Sequence, residues 1–144
     1  MTRLFRGIKE SGRGGPESGE SARTLGVRPG IDVPARTPDG LVEPGQGGLS
    51  VSPGTPLNLP SHRRPPGFGG VGRDPIWVLP AEDLGPDLSY RPDPVDSGHG
   101  FVEPARPMTL GDYQLALSRT RDLWRKVESW PEPRSDTDAT RSLL

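Results

Sequence analysis

With 144 residues, 18 basic and 19 acidic side chains and a net charge of −1, the chain has the length of one ordinary domain and no global field for nucleic acid or a membrane surface. Its 20 glycines and 19 prolines make up more than a quarter of the residues, which limits it to a small, loop-rich core, while the near-zero net charge withholds the other half of the disorder signature. There is no cysteine, so disulfide staples and thiolate metal sites are excluded, and no apolar run has the length of a membrane-crossing helix.

Residues 2–8, with Leu4, Phe5 and Ile8 apolar, predict a short first strand. Residues 10–30 are mostly Gly, Ser, Glu and Arg; a flexible loop with almost nothing to bury is expected there, extending over 10–35. Leu41–Val42 and Leu49–Val51 are two β-prone pieces around a Gly-rich turn. A Pro- and Gly-dense loop over 52–74 precedes Ile76–Leu79, which reads as a buried strand closed by Pro80. One extended stretch is expected near Leu88–Tyr90, and a further short strand over Gly100–Glu103, stopped by Pro104. Thr109, with Asp112 three residues on, is a helix start. Tyr113, Ala116, Leu117, Thr120, Leu123, Trp124 and Val127 follow at helical spacing, so one amphipathic helix is predicted from 109 until Pro131. Residues 131–144 read as a disordered tail. The expectation is α+β: short strands, long loops and a C-terminal amphipathic helix.

Three segments, LFRGI at 4–8, DGLVEPGQGGLSV at 39–51 and HGFVEPARPMTLGDYQ at 99–114, together resemble the ADP-ribosyltransferase toxin family known from type VI secretion effectors, a Tse-type toxin domain. The stretch IWVLPAEDLGPDLSYRPDP at 76–94 and the downstream Trp124 are similar to the same family, so the resemblance spans most of residues 4–127. It implies a small split β-sheet over 1–130 that holds NAD as a substrate, without a metal, in a cleft. It also implies a toxin acting in the cytosol on an unknown ADP-ribose acceptor and neutralised by a cognate immunity or antitoxin protein. Delivery by a contractile injection system is compatible with an N-terminus that has no apolar stretch of signal-peptide length.

By matching position, Arg6 is the cation expected to grip the NAD pyrophosphate, as a guanidinium fork suits paired anionic oxygens. Ser50 stands at the family's Gly-Gly-x-Ser position, where Gly47 and Gly48 would let backbone approach the ligand and the hydroxyl would meet ribose. The family often has a hydroxyl residue just before this Ser, whereas this chain has Leu49. His99 and Glu103 lie in the third block. Loss of nicotinamide leaves an oxocarbenium-like centre of the kind carboxylates stabilise in glycoside chemistry. Glu103 is therefore the expected acid, and Glu128, on the predicted helix, the fallback.

Other signals carry less. Gly67–Gly72 imitates a dinucleotide fingerprint but lacks the strand before and the helix after that it requires. Gly12–Gly15 and Arg63-Arg64 are small basic patches without interleaved aromatics, Pro53–Pro60 reads as a linker rather than a polyproline ligand, and the two histidines, His62 and His99, sit in separate loops, which disfavours a metal centre. The competing class is a non-catalytic interaction module that folds on a protein partner.

Overall fold

A computed structural model describes residues 2–132 of the chain. The chain folds as β1 (Arg3–Gly7), β2 (Leu41–Val42), β3 (Leu49–Pro53), β4 (Ile76–Pro80), β5 (Leu88–Pro92), β6 (Gly100–Pro104), β7 (Met108–Thr109), α1 (Leu110–Arg119) and β8 (Arg125–Val127). Six strands form one antiparallel sheet in the order β5-β6-β3-β1-β4-β8, and β2 pairs with β7 in a second, two-stranded sheet. The fold is the expected small α+β split sheet.

The split has a definite place. β1 pairs with β4 over its full length, from Arg3 opposite Pro80 to Gly7 opposite Ile76. Its other neighbour, β3, meets it only at Leu4 opposite Pro53 and Phe5 opposite Ser52. Beyond Phe5 the two strands part, so the sheet behaves as two three-stranded halves joined at one corner.

Alternation along the strands gives the sheet one apolar face throughout and a second over its β1-β4-β8 half. Leu4, Leu49, Val51, Trp77, Leu79 and Val102 face a core closed by Leu110, Tyr113 and Leu117 of α1. Phe5, Ile76, Val78 and Val127 face a smaller cluster with Leu59 and Phe68, edged by Trp130 against the Phe5 ring at 5.7 Å. Thr109 Oγ1 accepts from Asp112 N at 3.1 Å and caps α1 as the sequence predicts. Tyr113 then ties the helix to the sheet: its hydroxyl donates to Val102 O at 2.6 Å and accepts from Leu49 N at 3.1 Å. Burial pushes this phenol well up, so it remains a neutral donor throughout the physiological range.

Two expectations need correction. The helix does not reach Pro131: it ends at Arg119, a short 3₁₀ turn covers Arg121–Leu123, and residues 125–127 are strand. Thr120 Oγ1 donates to Leu117 O at 2.7 Å and accepts from Trp124 Nε1 at 3.0 Å, which folds the chain back so that Val127 pairs with Ile76. Apolar residues three apart at 124 and 127 fit a helix and this turn-then-strand equally well, and pairing with the exposed edge of β4 decides between them. Glu128 therefore follows a strand and is exposed, not borne on a helix.

Residues 10–35 also have more to bury than expected. Leu25, Val27 and Val33 enter the main core, and the segment is tied down by Lys9 N to Arg23 O and Leu25 N to Glu17 O. The Gln114 side chain of α1 completes it, accepting from Val27 N at 3.0 Å and donating to Val27 O at 2.8 Å. The expected tail lies, from residue 133 on, outside the described residues.

Candidate active site

The opening between β1 and β3 is a cleft of about 210 Å³, smaller than the roughly 300–1,000 Å³ of most small-molecule sites. Arg6, Arg28, Asp32, Ser50, Arg63 and His99 all line it, with Leu59 and Pro60 giving an apolar wall. Of the sequence-predicted residues, the structure brings Arg6, Ser50 and His99 to this one cavity.

Arg6 spans the split. Its Nη1 donates to Ser50 O at 2.8 Å, its Nε and Nη2 to Thr24 O at 3.2 and 2.9 Å, and its Nη2 also to Ala22 O at 3.2 Å. A guanidinium has five N–H donors, so most of this fork is committed to backbone carbonyls that hold the two halves and the loop together. Among the described residues no carboxylate touches it. Burial pulls the guanidinium down to about 10, with Asp32 opposing and the nearby Arg63 and Arg28 charges adding to the fall. It is still a full cation at neutral pH, and its field falls on the cleft.

Of the three arginines that line the cleft, Arg63 has the freest fork. Its backbone carbonyl closes on Gly7, where an added Cβ would lie 2.7 Å from it; a side chain at position 7 would push this loop off the cleft. The half-buried Arg63 guanidinium makes no hydrogen bond or ion pair among the described residues and lines the cavity. Its neighbour Arg64 is turned inward, donating to Leu59 O at 2.9 Å and to Phe68 O. The Arg63-Arg64 patch is thus one site residue and one structural residue. The adjacent Gly67–Gly72 run is a 3₁₀ turn and irregular loop, not a nucleotide-binding turn.

Arg28 and Asp32 form a forked ion pair on the cleft wall: Nη2 donates to Oδ1 at 2.9 Å and Nε to Oδ2 at 3.1 Å, while Arg28 N also reaches Oδ2 at 2.7 Å. Burial alone would raise the Asp32 pKa, but the Arg28 hydrogen bonds and the Arg28 and Arg6 charges hold it below the usual carboxylate range. Asp32 is ionised at neutral pH.

His99 closes the other side. Its Nδ1 lies 2.8 Å from Asp93 Oδ2; an ionised carboxylate only accepts, so Nδ1 carries a proton, and in the neutral ring Nε2 is the acceptor. The His99 contact and Val95 N–H hold the Asp93 carboxyl below its ordinary range. The His99 ring meets Phe101 edge-on at 4.7 Å. The Ser50 hydroxyl makes no hydrogen bond among the described residues and is available to a ligand.

The other predicted residues are placed elsewhere. Gly47 and Gly48, with φ of 118° and 148°, do not line the cleft. An added Cβ would lie 2.3 Å from Asp32 O at Gly47 and 2.6 Å from Val102 O at Gly48, so these glycines let β3 approach its own neighbours. Glu103 is absent from the cleft wall as well. It is buried in β6, where Oε2 accepts from Gly45 N at 2.8 Å and Arg91 Nε at 3.0 Å. Glu128 is exposed beyond β8. Sequence reading missed Arg28, Asp32 and Asp93; the Arg–Asp spacing of four at 28–32 was the one local signal, and it lies in a segment read as loop.

A cavity with three guanidinium groups, one ionised carboxylate, a free hydroxyl and an oriented imidazole suits a ligand that carries phosphates and a sugar. The family model described as Tse2 ADP-ribosyltransferase toxin matches residues 3–124, and thus β1 to β7 and all of α1, ending just before β8. No curated protein matches the chain, and no solved structure does.

Proposed function

The chain belongs to the Tse2 ADP-ribosyltransferase toxin family, and we propose that it cleaves the nicotinamide–ribose bond of NAD in the cleft at the split and transfers ADP-ribose to an acceptor in a bacterial cytosol. Membership of a transferase family makes NAD the expected substrate. The observation that carries the assignment to this cleft is the gathering of Arg6, Arg28 and Arg63 around Ser50 and His99.

In this reading Arg63 and Arg28 grip the doubly negative diphosphate, and the Arg6 cation adds its field while holding the walls in place. The Ser50 hydroxyl meets the ribose. The glycosidic C–N bond breaks, its electron pair leaving with neutral nicotinamide. A lone pair of the acceptor then forms the new bond to the ribosyl carbon. His99 Nε2 takes the proton the acceptor gives up, with Asp93 orienting the ring. Delivery through a contractile injection system and neutralisation by a cognate immunity protein accompany this reading through the family alone.

The test is inducible expression of the wild type, Ser50→Ala, His99→Ala and Arg63→Ala in a bacterial cytosol, following growth and cellular NAD. The wild type is expected to arrest growth with NAD depletion or new ADP-ribose conjugates, and each variant to relieve it. Growth equal to an empty control with unchanged NAD would refute the transferase reading.

A further inference from the structure

The proposed chemistry places positive charge on the ribosyl carbon, and the two glutamates picked out by sequence are not there to face it. Glu103 lies outside the cleft wall, its Oε2 held by Gly45 N and Arg91 Nε, and Glu128 is exposed beyond β8. Asp32 is the acid that does line the cavity. Its backbone is pinned to the start of β3, since Gly48 N donates to Asp32 O at 3.1 Å, and Gly47 packs on the same carbonyl.

The two carboxylate oxygens of Asp32 are held differently. Oδ2 accepts from the backbone N–H of Arg28 as well as from its Nε, so it is fixed by the fold of the loop itself. Oδ1 accepts from Nη2 of the same residue, and the Arg28 side chain is 41% exposed against 16% for Asp32. Removing the Arg28 side chain from the pair would leave the carboxylate in place, anchored through Oδ2, with Oδ1 uncovered. A diphosphate matches the guanidinium fork as a carboxylate does, and it brings two negative charges where Asp32 has one. Its arrival therefore separates the pair at the moment a carboxylate is needed.

Resting on the NAD-cleaving reading of this cleft, we propose that Asp32 is its catalytic carboxylate, masked by Arg28 in the free protein and unmasked at Oδ1 when the substrate diphosphate engages the Arg28 guanidinium. Asp32 forms no bond to the sugar in this account. As the C–N electron pair departs with nicotinamide, the ionised Oδ1 stabilises the oxocarbenium charge until the acceptor's lone pair closes on the same carbon. Arg28 thus works twice, as phosphate ligand and as a cover that keeps the free site from presenting a bare buried anion.

The purified full chain is assayed for nicotinamide release from NAD and for NAD binding by calorimetry. Asp32→Asn keeps the shape and the Oδ contacts that a backbone N–H can make; it is expected to lower kcat about 100-fold or more while the NAD Kd stays within about threefold. Arg28→Ala supplies a second arm that does not depend on the folding of the first: Kd and KM rise about tenfold or more, while kcat at saturation stays within about threefold, because the carboxylate is still anchored. Asp32→Asn turning over at the wild-type rate overturns the proposal. So does Arg28→Ala losing kcat as severely as the change at Asp32 with KM unmoved, since the pair would then act only as a structural clasp. Absence of nicotinamide release from the wild type is a separate result, which removes the parent reading.

Discussion

Two buried charges in this sheet are held in opposite ways. In the β5-β6-β3 half, Glu103 sits under a counter-charge: Arg91 Nε at 3.0 Å and Gly45 N at 2.8 Å both meet Oε2, and the Arg91 guanidinium lies 4.7 Å above the Phe101 ring. At the split, Arg6 has only carbonyl oxygens, those of Ala22, Thr24 and Ser50. Carbonyl dipoles solvate a cation without cancelling its net charge. Glu103 with its ion partner has little field left over, whereas Arg6 projects one into a cleft that also holds Arg63 and Arg28. A buried charge that is neutralised in place serves the fold; one left with its net charge beside a cavity serves the fold and a ligand together.

The sharpest way to break this comparison is at Arg6. Arg6→Ala leaves three carbonyls without their donor and opens the joint between the sheet halves, for an expected loss of about 3–5 kcal/mol. Arg6→Lys should recover little of it, because an ammonium cannot reproduce the fork. Urea denaturation reads both, and an Arg6→Ala protein as stable as the wild type would show that the clamp does not hold the split.

Glu103→Gln comes next. It removes one charge-assisted bond while keeping the shape, so stability should fall by about 1–3 kcal/mol with kcat for nicotinamide release within about threefold of wild type. A large loss of kcat in a stably folded Glu103→Gln would return Glu103 to the chemistry. Arg63→Ala is the converse: the unfolding midpoint stays put, as for a surface change outside a network, while the NAD Kd rises about tenfold for a lost charged contact.

Acid lability is the smallest effect. Asp32 and Asp74 both lie below the usual carboxylate range: burial would raise Asp32 but its Arg28 contacts outweigh that, and Asp74 is lowered chiefly by the Arg23 hydrogen bond. A carboxyl with a depressed folded-state pKa contributes stability that is complete above its unfolded value and disappears as pH falls through the folded one. Stability should therefore drop from about pH 4 downward, and Asp74→Asn should flatten that slope without altering NAD binding. An unchanged slope would mean that the Arg23–Asp74 pair persists in the unfolded chain.

The sheet was legible in the sequence because its strands are short apolar runs bounded by Pro and Gly: Leu4–Phe5, Ile76–Leu79 and Val102 between Gly100 and Pro104 sit where their side chains predicted. The helix start was equally plain from Thr109. Its end was not, since Trp124 and Val127 satisfy a helical spacing while their final state depends on the free edge of β4, a partner nearly fifty residues upstream. The site divides the same way. Arg6, Ser50 and His99 belong to strands or strand ends and carry a family position, so a resemblance locates them. Arg28, Asp32 and Arg63 come from loops with no periodicity, and only the closing of residues 22–33 and 59–63 over the split brings them to the cavity. Glu103 was misplaced because its sequence neighbourhood could not disclose Arg91 on the adjacent strand.

The most direct test of the contrast between the two charges is a calorimetric titration of NAD into the wild type, Arg63→Ala and Glu103→Gln proteins at two salt concentrations. The account predicts saturable binding by the wild type that weakens as salt rises, loss of about tenfold in affinity together with a shallower salt dependence in Arg63→Ala, and wild-type binding in Glu103→Gln. Binding abolished by Glu103→Gln and untouched by Arg63→Ala would contradict it, and would move the site from the split to the β5-β6 half of the sheet.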